Sequence, residues 1–107
     1  MSLTDRVRAL LADEPTLREV RMFGGLSFMV RDRMVVAARA EGDLLIRVDE
    51  RRRDELLELP EVRPAMMGKD REMGGGWLEV TADAVADDAE LARWVRLCLD
   101  DAAAAAG

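Results

Sequence analysis

The 107-residue sequence contains no histidine and no tyrosine, and it contains a single cysteine, Cys98. Histidine is the usual general base near neutral pH and the commonest metal ligand, so its absence excludes histidine-dependent triads and histidine metal sites. One cysteine cannot form an internal disulfide, and it leaves no cysteine cluster to hold zinc. We therefore expect no catalytic residue, no cofactor site and no metal site.

Long apolar runs are also absent from the sequence. No stretch approaches the roughly 20 residues that a membrane-spanning helix needs. The N-terminus lacks the charged and apolar regions of a secretory leader, and a lone cysteine is typical of a reducing compartment. The sequence predicts a cytoplasmic protein with no membrane association.

The charge balance and the scarcity of aromatic residues argue against nucleic acid as a direct partner. The formal net charge is −6, which repels phosphate backbones, and two Phe and two Trp are too few for a base-stacking platform. The three arginines at residues 51–53 are flanked by acids, which favours a solvated helix face over an anion patch. A DNA-binding hypothesis would require six arginines to share one side of the fold: Arg6, Arg8, Arg18, Arg21, Arg31 and Arg33.

The length predicts one domain over residues 1–107, since half of the residues are hydrophobic and can form one core. Apolar residues at helical spacing predict a first helix at residues 4–14, with Thr4 as its N-cap. A second helix is predicted at residues 49–59, with Asp49 as its N-cap. Prolines at the following positions end both helices.

The third predicted helix follows an N-cap at Asp87 and has the most regular apolar stripe in the chain. Cys98 falls on this stripe, so we interpret it as a small buried core residue and not as a reactive thiol. Residues 102–107 form an alanine-rich tail that is predicted to fray. The stripe consists of Leu91, Trp94, Val95, Cys98 and Ala102.

Between the helices the hydrophobic pattern has a period of two, which is typical of strands. Glycines at 24 and 25 suit a bulge or tight bend, and residues 31–33 have the length of a hairpin connection. No helical crossover separates the strands, so the pattern indicates an α+β fold with an antiparallel sheet. Strands are predicted at residues 17–22, 26–30, 34–39, 44–48 and 77–81, with a short one near 63–67.

Two glycine-rich stretches could suggest a phosphate-binding loop, namely Gly68-Lys69 and residues 74–76. The first glycine of the GxxxxGK pattern is replaced by Arg63, and Asp70 stands where the motif needs Ser or Thr. We therefore interpret residues 61–76 as mostly loop. The carboxylates occur mainly at predicted helix starts and do not identify a hydrolase.

The sequence contains seven methionines, whose flexible thioether side chains adapt to varied partners. Met22, Met29 and Met34 lie on predicted strands, where we expect them to fill the core beneath the sheet. Three others, Met66, Met67 and Met73, lie in the predicted loop, where an exposed or interfacial role is as well supported as a buried one.

One segment is more specific than these patterns: residues 21–30 read Arg-Met-Phe-Gly-Gly-Leu-Ser-Phe-Met-Val. This segment resembles the signature of the TfoX N-terminal domain family. The likeness continues through residues 34–36, 44–48, 62–64, 77–80 and 91–95. The resemblance implies an α-β(3)-α-β(2)-α fold similar to secretion-chaperone-like domains, usually a homodimer, in a bacterial protein associated with the regulation of competence genes. It supplies no catalytic residues.

Two hypotheses for the function follow. The leading one is a stand-alone, non-enzymatic regulatory or protein-interaction domain that forms a homodimer and acts through protein contacts. The alternative is a small-molecule-binding domain whose pocket lies between the glycine bend and residues 66–77. The candidate binding or interface residues are Phe23, Gly24, Gly25, Met66, Met67, Met73 and Trp77.

Overall fold

The computed structural model describes residues 2–22, 24–67 and 71–106 as three helices and one sheet of six strands. All strand pairs are antiparallel, and the order across the sheet is β1-β2-β3-β4-β6-β5. The predicted α+β fold with an antiparallel sheet is confirmed. In chain order the elements are α1 (Leu3–Leu10), β1 (Arg18–Met22), β2 (Gly25–Val30), β3 (Arg33–Arg39), β4 (Leu44–Arg47), α2 (Arg53–Leu57), β5 (Val62–Pro64), β6 (Trp77–Val80) and α3 (Asp88–Ala106).

Four strands precede α2, whereas the family resemblance implied three. The residue pattern did predict a strand at 17–22, and this region forms β1. β1 pairs with β2 along its whole length, with Met22 opposite Gly25. Only two residues separate these partners, and Gly24 has the left-handed backbone (φ +72°) that such a tight hairpin favours. The predicted bulge or bend at the glycine pair is therefore a hairpin turn.

The turn of the β2–β3 hairpin consists of two residues that are not glycine. Arg31 (φ 55°) and Asp32 (φ 61°) both have left-handed backbones, as a type I′ turn requires. The hydroxyl of Thr16 accepts a 2.8 Å hydrogen bond from the Arg31 N–H, which helps to hold this conformation. The connection predicted at residues 31–33 is one residue too long, because Arg33 already pairs with Val30.

The first helix begins and ends earlier than predicted. The Ser2 hydroxyl, and not that of Thr4, is the N-cap, since it accepts a 3.1 Å hydrogen bond from the Asp5 N–H. α1 then ends at Leu10, and the chain continues in turns towards Pro15.

The second helix is capped as predicted but is shorter. The Asp49 carboxylate accepts a 3.0 Å hydrogen bond from the Arg51 N–H. A 3₁₀ turn (Glu50–Arg52) follows, and only Arg53–Leu57 is α-helical. Tight i→i+3 turns are common at helix ends, so a short charged segment of this kind contains little regular α-helix.

The third helix begins where it was predicted to begin, but it continues beyond its predicted end. The Asp87 carboxylate accepts a 3.2 Å hydrogen bond from the Glu90 N–H, as expected of an N-cap. Cys98 is fully buried, and desolvation raises the pKa of its thiol, so it is a core residue as interpreted. The helix extends to Ala106, whereas fraying was predicted from Ala102. Alanine has the highest helix propensity, which favours this extension.

The main hydrophobic core lies between one face of the sheet and the helices. Phe28 and Ile46 are fully buried there against α1 and α3. Burial of each such side chain contributes about 1.5–3 kcal/mol, so this layer supplies most of the driving force for folding. Its buried helical members are Val7, Leu91, Trp94, Val95 and Cys98.

A second, smaller cluster lies on the opposite face of the sheet. None of its members belongs to a helix in the described part of the chain. Met34 is buried as predicted, but Met22 and Met29 are only half-buried, and all three lie on this face and not beneath the helices. We call this cluster the methionine face; it consists of Met22, Met29, Met34, Ala37, Leu45, Ala65, Met73 and Trp77.

Candidate functional site

The two hairpin glycines have structural roles that account for their presence. A side chain at Gly25 would overlap the carbonyl oxygen of Ala38 and lie 2.7 Å from the Arg39 Cα. Gly24 has open space around it, and only its positive φ favours glycine. Phe23, the third residue of this candidate site, lies outside the described residues. The geometry therefore favours close strand packing as the reason for Gly25.

The predicted loop at residues 66–77 is folded back on itself. Met66 forms an isolated antiparallel bridge with Glu72, and the Met73 N–H donates a 2.9 Å hydrogen bond to the Ala65 carbonyl. This places Met73 on the methionine face, whereas Met67 is 51% exposed and lies outside that cluster. The Gly68-Lys69 pair considered above lies outside the described residues.

The structure places the sequence-predicted pocket residues in separate cavities. Gly25 lines a cavity beside Leu3 and Arg21. Met73 and Trp77 line a different, larger cleft at one end of the sheet. Met66 lines a third cavity, beside Arg39 and Glu79, and Met67 is exposed, so the described candidates do not form one site.

Charged side chains on the same face as the methionines are paired with one another. Glu79 is 6% exposed, and its carboxylate lies 3.3 Å from the Arg39 guanidinium and 3.2 Å from that of Arg63. Arg63 also forms a 2.6 Å ion pair with Asp43. Burial raises the pKa of Glu79, and its contact with Asp43 does so too, although both arginines oppose this. Two arginines and two carboxylates thus compensate each other at one side of the methionine face.

The larger cleft is formed where three strands meet at one end of the sheet. Its volume is about 590 Å³, within the usual range for small-molecule sites. Antiparallel pairing brings Arg33, the first residue of β3, and Arg47, the last of β4, to this end, together with Trp77 of β6. The cross-strand pair Arg47↔Trp77 places the guanidinium 5.2 Å from the centre of the indole ring, a cation–π distance.

Arg33 affects Arg47, a second arginine that lines the cleft. Burial lowers the pKa of Arg47, and the positive charge of Arg33 lowers it further. The cleft acids Asp49 and Asp101 already have partners. Asp49 pairs with Arg51 at 2.7 Å, and Asp101 accepts a 3.1 Å hydrogen bond from the Asp49 N–H. The bonds from Arg51 lower the pKa of Asp49 to about 2.

The glycine run at residues 74–76 forms one wall of the cleft. A side chain at Gly76 would lie 2.8 Å from the Val48 carbonyl oxygen, and one at Gly75 would lie 2.9 Å from the Glu50 carboxyl group. The Gly76 carbonyl accepts a 2.8 Å hydrogen bond from the Val48 N–H. Arg53 donates to the Gly75 carbonyl at 3.3 Å. These glycines allow the loop to pack closely on the segment after β4.

Sequence reasoning did not single out Arg33 or Arg47 as cleft residues. The two-residue period of β4 puts Arg47 on the face opposite Leu44 and Ile46, but it gives no information about the neighbouring strand. Only the antiparallel order of β3, β4 and β6 brings these residues together.

The described residues contain neither a group of metal-binding side chains nor a membrane-spanning helix. Within residues 2–22, 24–67 and 71–106, no three His, Cys, Asp or Glu side chains are grouped as a metal-binding site would require. In the same part of the chain, no helix has both the length and the apolar character needed to cross a membrane.

Comparison with solved structures supports the fold. The crystal structure of protein DR2400 from Deinococcus radiodurans, which carries a domain of unknown function named DUF419, superposes with a TM-score of 0.67. The two chains are 22% identical, and the match covers 92% of this chain and 77% of DR2400. At this identity the likeness concerns the fold alone. No curated protein matches the chain.

Comparison with protein families gives a match over most of the sequence. The model of the TfoX N-terminal domain matches residues 9–102. This range includes all six strands, α2 and the buried stripe of α3. It also includes the segment at residues 21–30 that carried the resemblance. This chain therefore belongs to the TfoX N-terminal domain family.

Proposed function

We propose that this domain is a non-enzymatic, cytoplasmic protein-interaction module that pairs with a second copy of itself through the methionine face. The observation that carries the proposal is the one-sided packing of the sheet. The helices bury one face, whereas the apolar cluster on the other face contains no helical residue among those described. A regulatory role, such as the control of competence genes that the family resemblance implies, would act through this dimer.

The composition of the face suits a protein partner. Met22, Met29, Met73 and Trp77 remain half-buried around fully buried neighbours, so a partner would remove further apolar surface from water. Methionine and tryptophan are enriched in interfaces, because the thioether adapts its shape and the indole buries a large area. Apolar burial of this kind would supply the free energy of association.

The charges beside the face are compatible with a second copy as the partner. Because Arg39 and Arg63 are paired with Glu79 and Asp43, this side of the face presents little uncompensated charge to an identical surface. A two-fold dimer contact uses the same patch on both subunits, so an unpaired charge at its centre would repel itself. The molecule measures 34 × 34 × 25 Å, so its broad sides are large enough to contain the roughly 800 Å² per partner of a standard interface.

Light scattering after size-exclusion chromatography tests the proposal. The unmodified chain should have the mass of two chains, and Met29→Lys should have the mass of one, because the dimer would bury an ammonium group of each copy in the apolar face. Met29 is half-buried, so a lysine there can extend to solvent in the monomer and the domain should remain folded.

The matched control is Leu10→Lys. Leu10 is 42% exposed on α1, which packs on the opposite face of the sheet. This variant should keep the dimer mass, and circular dichroism should show both variants folded. A monomeric unmodified chain at high concentration would contradict the proposal, and so would a folded Met29→Lys variant that remains dimeric.

A further inference from the structure

The cleft at the end of the sheet contains two arginines, Arg33 and Arg47, that form no ion pair with any other described residue. Within the described ranges, no carboxylate lies at salt-bridge distance from Arg33 or Arg47. The contact described for Arg47 is with the ring of Trp77. Two positive charges that face the same cleft repel each other unless a negative charge offsets the repulsion.

The arginines at residues 51–53, near the cleft, do form ion pairs. Arg51 is paired with Asp49, and Arg52 lies 3.1 Å from Asp101. Arg53 lies 3.7 Å from Glu72 and also donates to backbone carbonyls of the glycine run. Arg51 is thus paired with a flanking acid, as the sequence interpretation expects, and Arg52 and Arg53 form ion pairs with acids that are distant in sequence.

The walls of the cleft suit a small ligand. The cavity of about 590 Å³ has an apolar side formed by Met34, Met73 and Trp77, and a side of bare backbone at residues 74–76. Arg47 is held against the indole ring, so less side-chain entropy is lost when it binds. The lining thus combines an apolar side with charged groups, and a small-molecule site likewise orients its ligand through a few placed polar groups.

We propose that this cleft binds a small molecule through a phosphate or carboxylate group, whose oxygens accept hydrogen bonds from Arg33 and Arg47. A guanidinium presents paired N–H donors that match both oxyanions, and such charge-assisted bonds are about twice as strong as neutral ones. The bound anion would relieve the repulsion between the two arginines. This binding site goes beyond the proposed dimer, and it shares Met34, Met73 and Trp77 with the methionine face.

Three carboxylates line the cleft; Asp49 and Asp101 are paired with arginines, so Glu50 is the one that we expect to oppose anion binding. Glu50 lines the cavity and lies against the glycine run, and no hydrogen bond or ion pair is described for its side chain within residues 2–22, 24–67 and 71–106. Its negative charge reduces the attraction for an anion. Replacing Glu50 with glutamine should therefore tighten binding several-fold, which is the opposite of the effect expected at the arginines.

The test is a titration of the ¹⁵N-labelled full chain with pyrophosphate and, separately, with citrate, at an ionic strength kept constant with sodium chloride. Amide signals of residues 33, 47 and 74–77 should shift with at least one of these anions. Shifts with pyrophosphate assign a phosphate ligand, and shifts with citrate assign a carboxylate ligand. Arg33→Gln and Arg47→Gln should each weaken binding about tenfold or more.

The control variant is Arg96→Gln, which removes an exposed arginine of α3 that does not line the cleft. It should bind the anion as the unmodified chain does. The proposal is overturned if neither anion shifts these signals, or if a folded Arg33→Gln, Arg47→Gln double variant binds with unchanged affinity. It is also overturned if duplex DNA binds through Arg47 while both small anions fail to bind.

Discussion

Replacing Gly25 with alanine is expected to lower the free energy of unfolding by about 3 kcal/mol or more. The new methyl group would overlap the carbonyl oxygen of Ala38 and crowd the Arg39 Cα at 2.7 Å. Both contacts are with backbone atoms, so no side chain can rotate away, and β2 and β3 would have to separate. Urea denaturation followed by circular dichroism measures this loss directly.

Gly24→Ala is the matched control for this prediction. No atom lies within 4 Å of a side chain built at Gly24, so the only cost is the positive φ of +72°. An alanine in the left-handed region costs about 1–2 kcal/mol. If both alanine variants unfold at the same urea concentration, close packing is not the reason for glycine at position 25.

Replacing Glu79 with alanine is expected to cost about 3 kcal/mol, because it removes the carboxylate that lies 3.3 Å from the Arg39 guanidinium in a largely buried site. The side chain of Arg39 is only 12% exposed, and that of Glu79 only 8%. Removing one partner of a buried pair leaves a desolvated charge, which is far more costly than the pair itself is stabilising. The free energy of unfolding in urea measures the effect.

Arg63→Ala is the control for the Glu79 prediction. The Arg63 side chain is 54% exposed, so solvent screens its ion pairs with Asp43 and Glu79. Its removal should cost no more than about 1 kcal/mol. Equal losses for Glu79→Ala and Arg63→Ala would show that the buried position of Glu79 does not govern its contribution.

Local periodicity allowed the regular elements to be predicted. The stripe of α3 repeats at helical spacing over several turns, and its buried residues are those that the pattern predicts, including Cys98. The two-residue period of β4 likewise separates Leu44 and Ile46 in the main core from Leu45 on the opposite face. Both patterns depend only on residues close in sequence.

The turns and helix ends were harder to predict because alternatives differ little in energy. Ser2 and Thr4 are both good N-caps, and only the hydrogen bond to the Asp5 N–H shows which one is used. Likewise, Arg31 and Asp32 show no glycine signal for a type I′ turn, and part of their stabilisation comes from Thr16, a residue distant in sequence.

The candidate sites depend on the order of the strands in the sheet, which local sequence patterns do not determine. The methionines were recognised as adaptable residues, but their division between the face and the exposed Met67 follows from the pairing of the strands and the fold of residues 65–73. Arg33 and Arg47 were not recognised because they belong to different strands. They line one cleft with the glycine run only because β4 lies between β3 and β6.

In the proposed dimer, a second copy of the chain covers the methionine face. The most direct test uses ¹³C-methyl methionine NMR with a neutral paramagnetic relaxation agent, at a high protein concentration and after dilution to the monomer. The methyl signals of Met22, Met29 and Met73 should be protected at high concentration and broadened on dilution, while that of the exposed Met67 is broadened in both samples. Equal broadening of the Met22, Met29 and Met73 signals in both samples would contradict the claim.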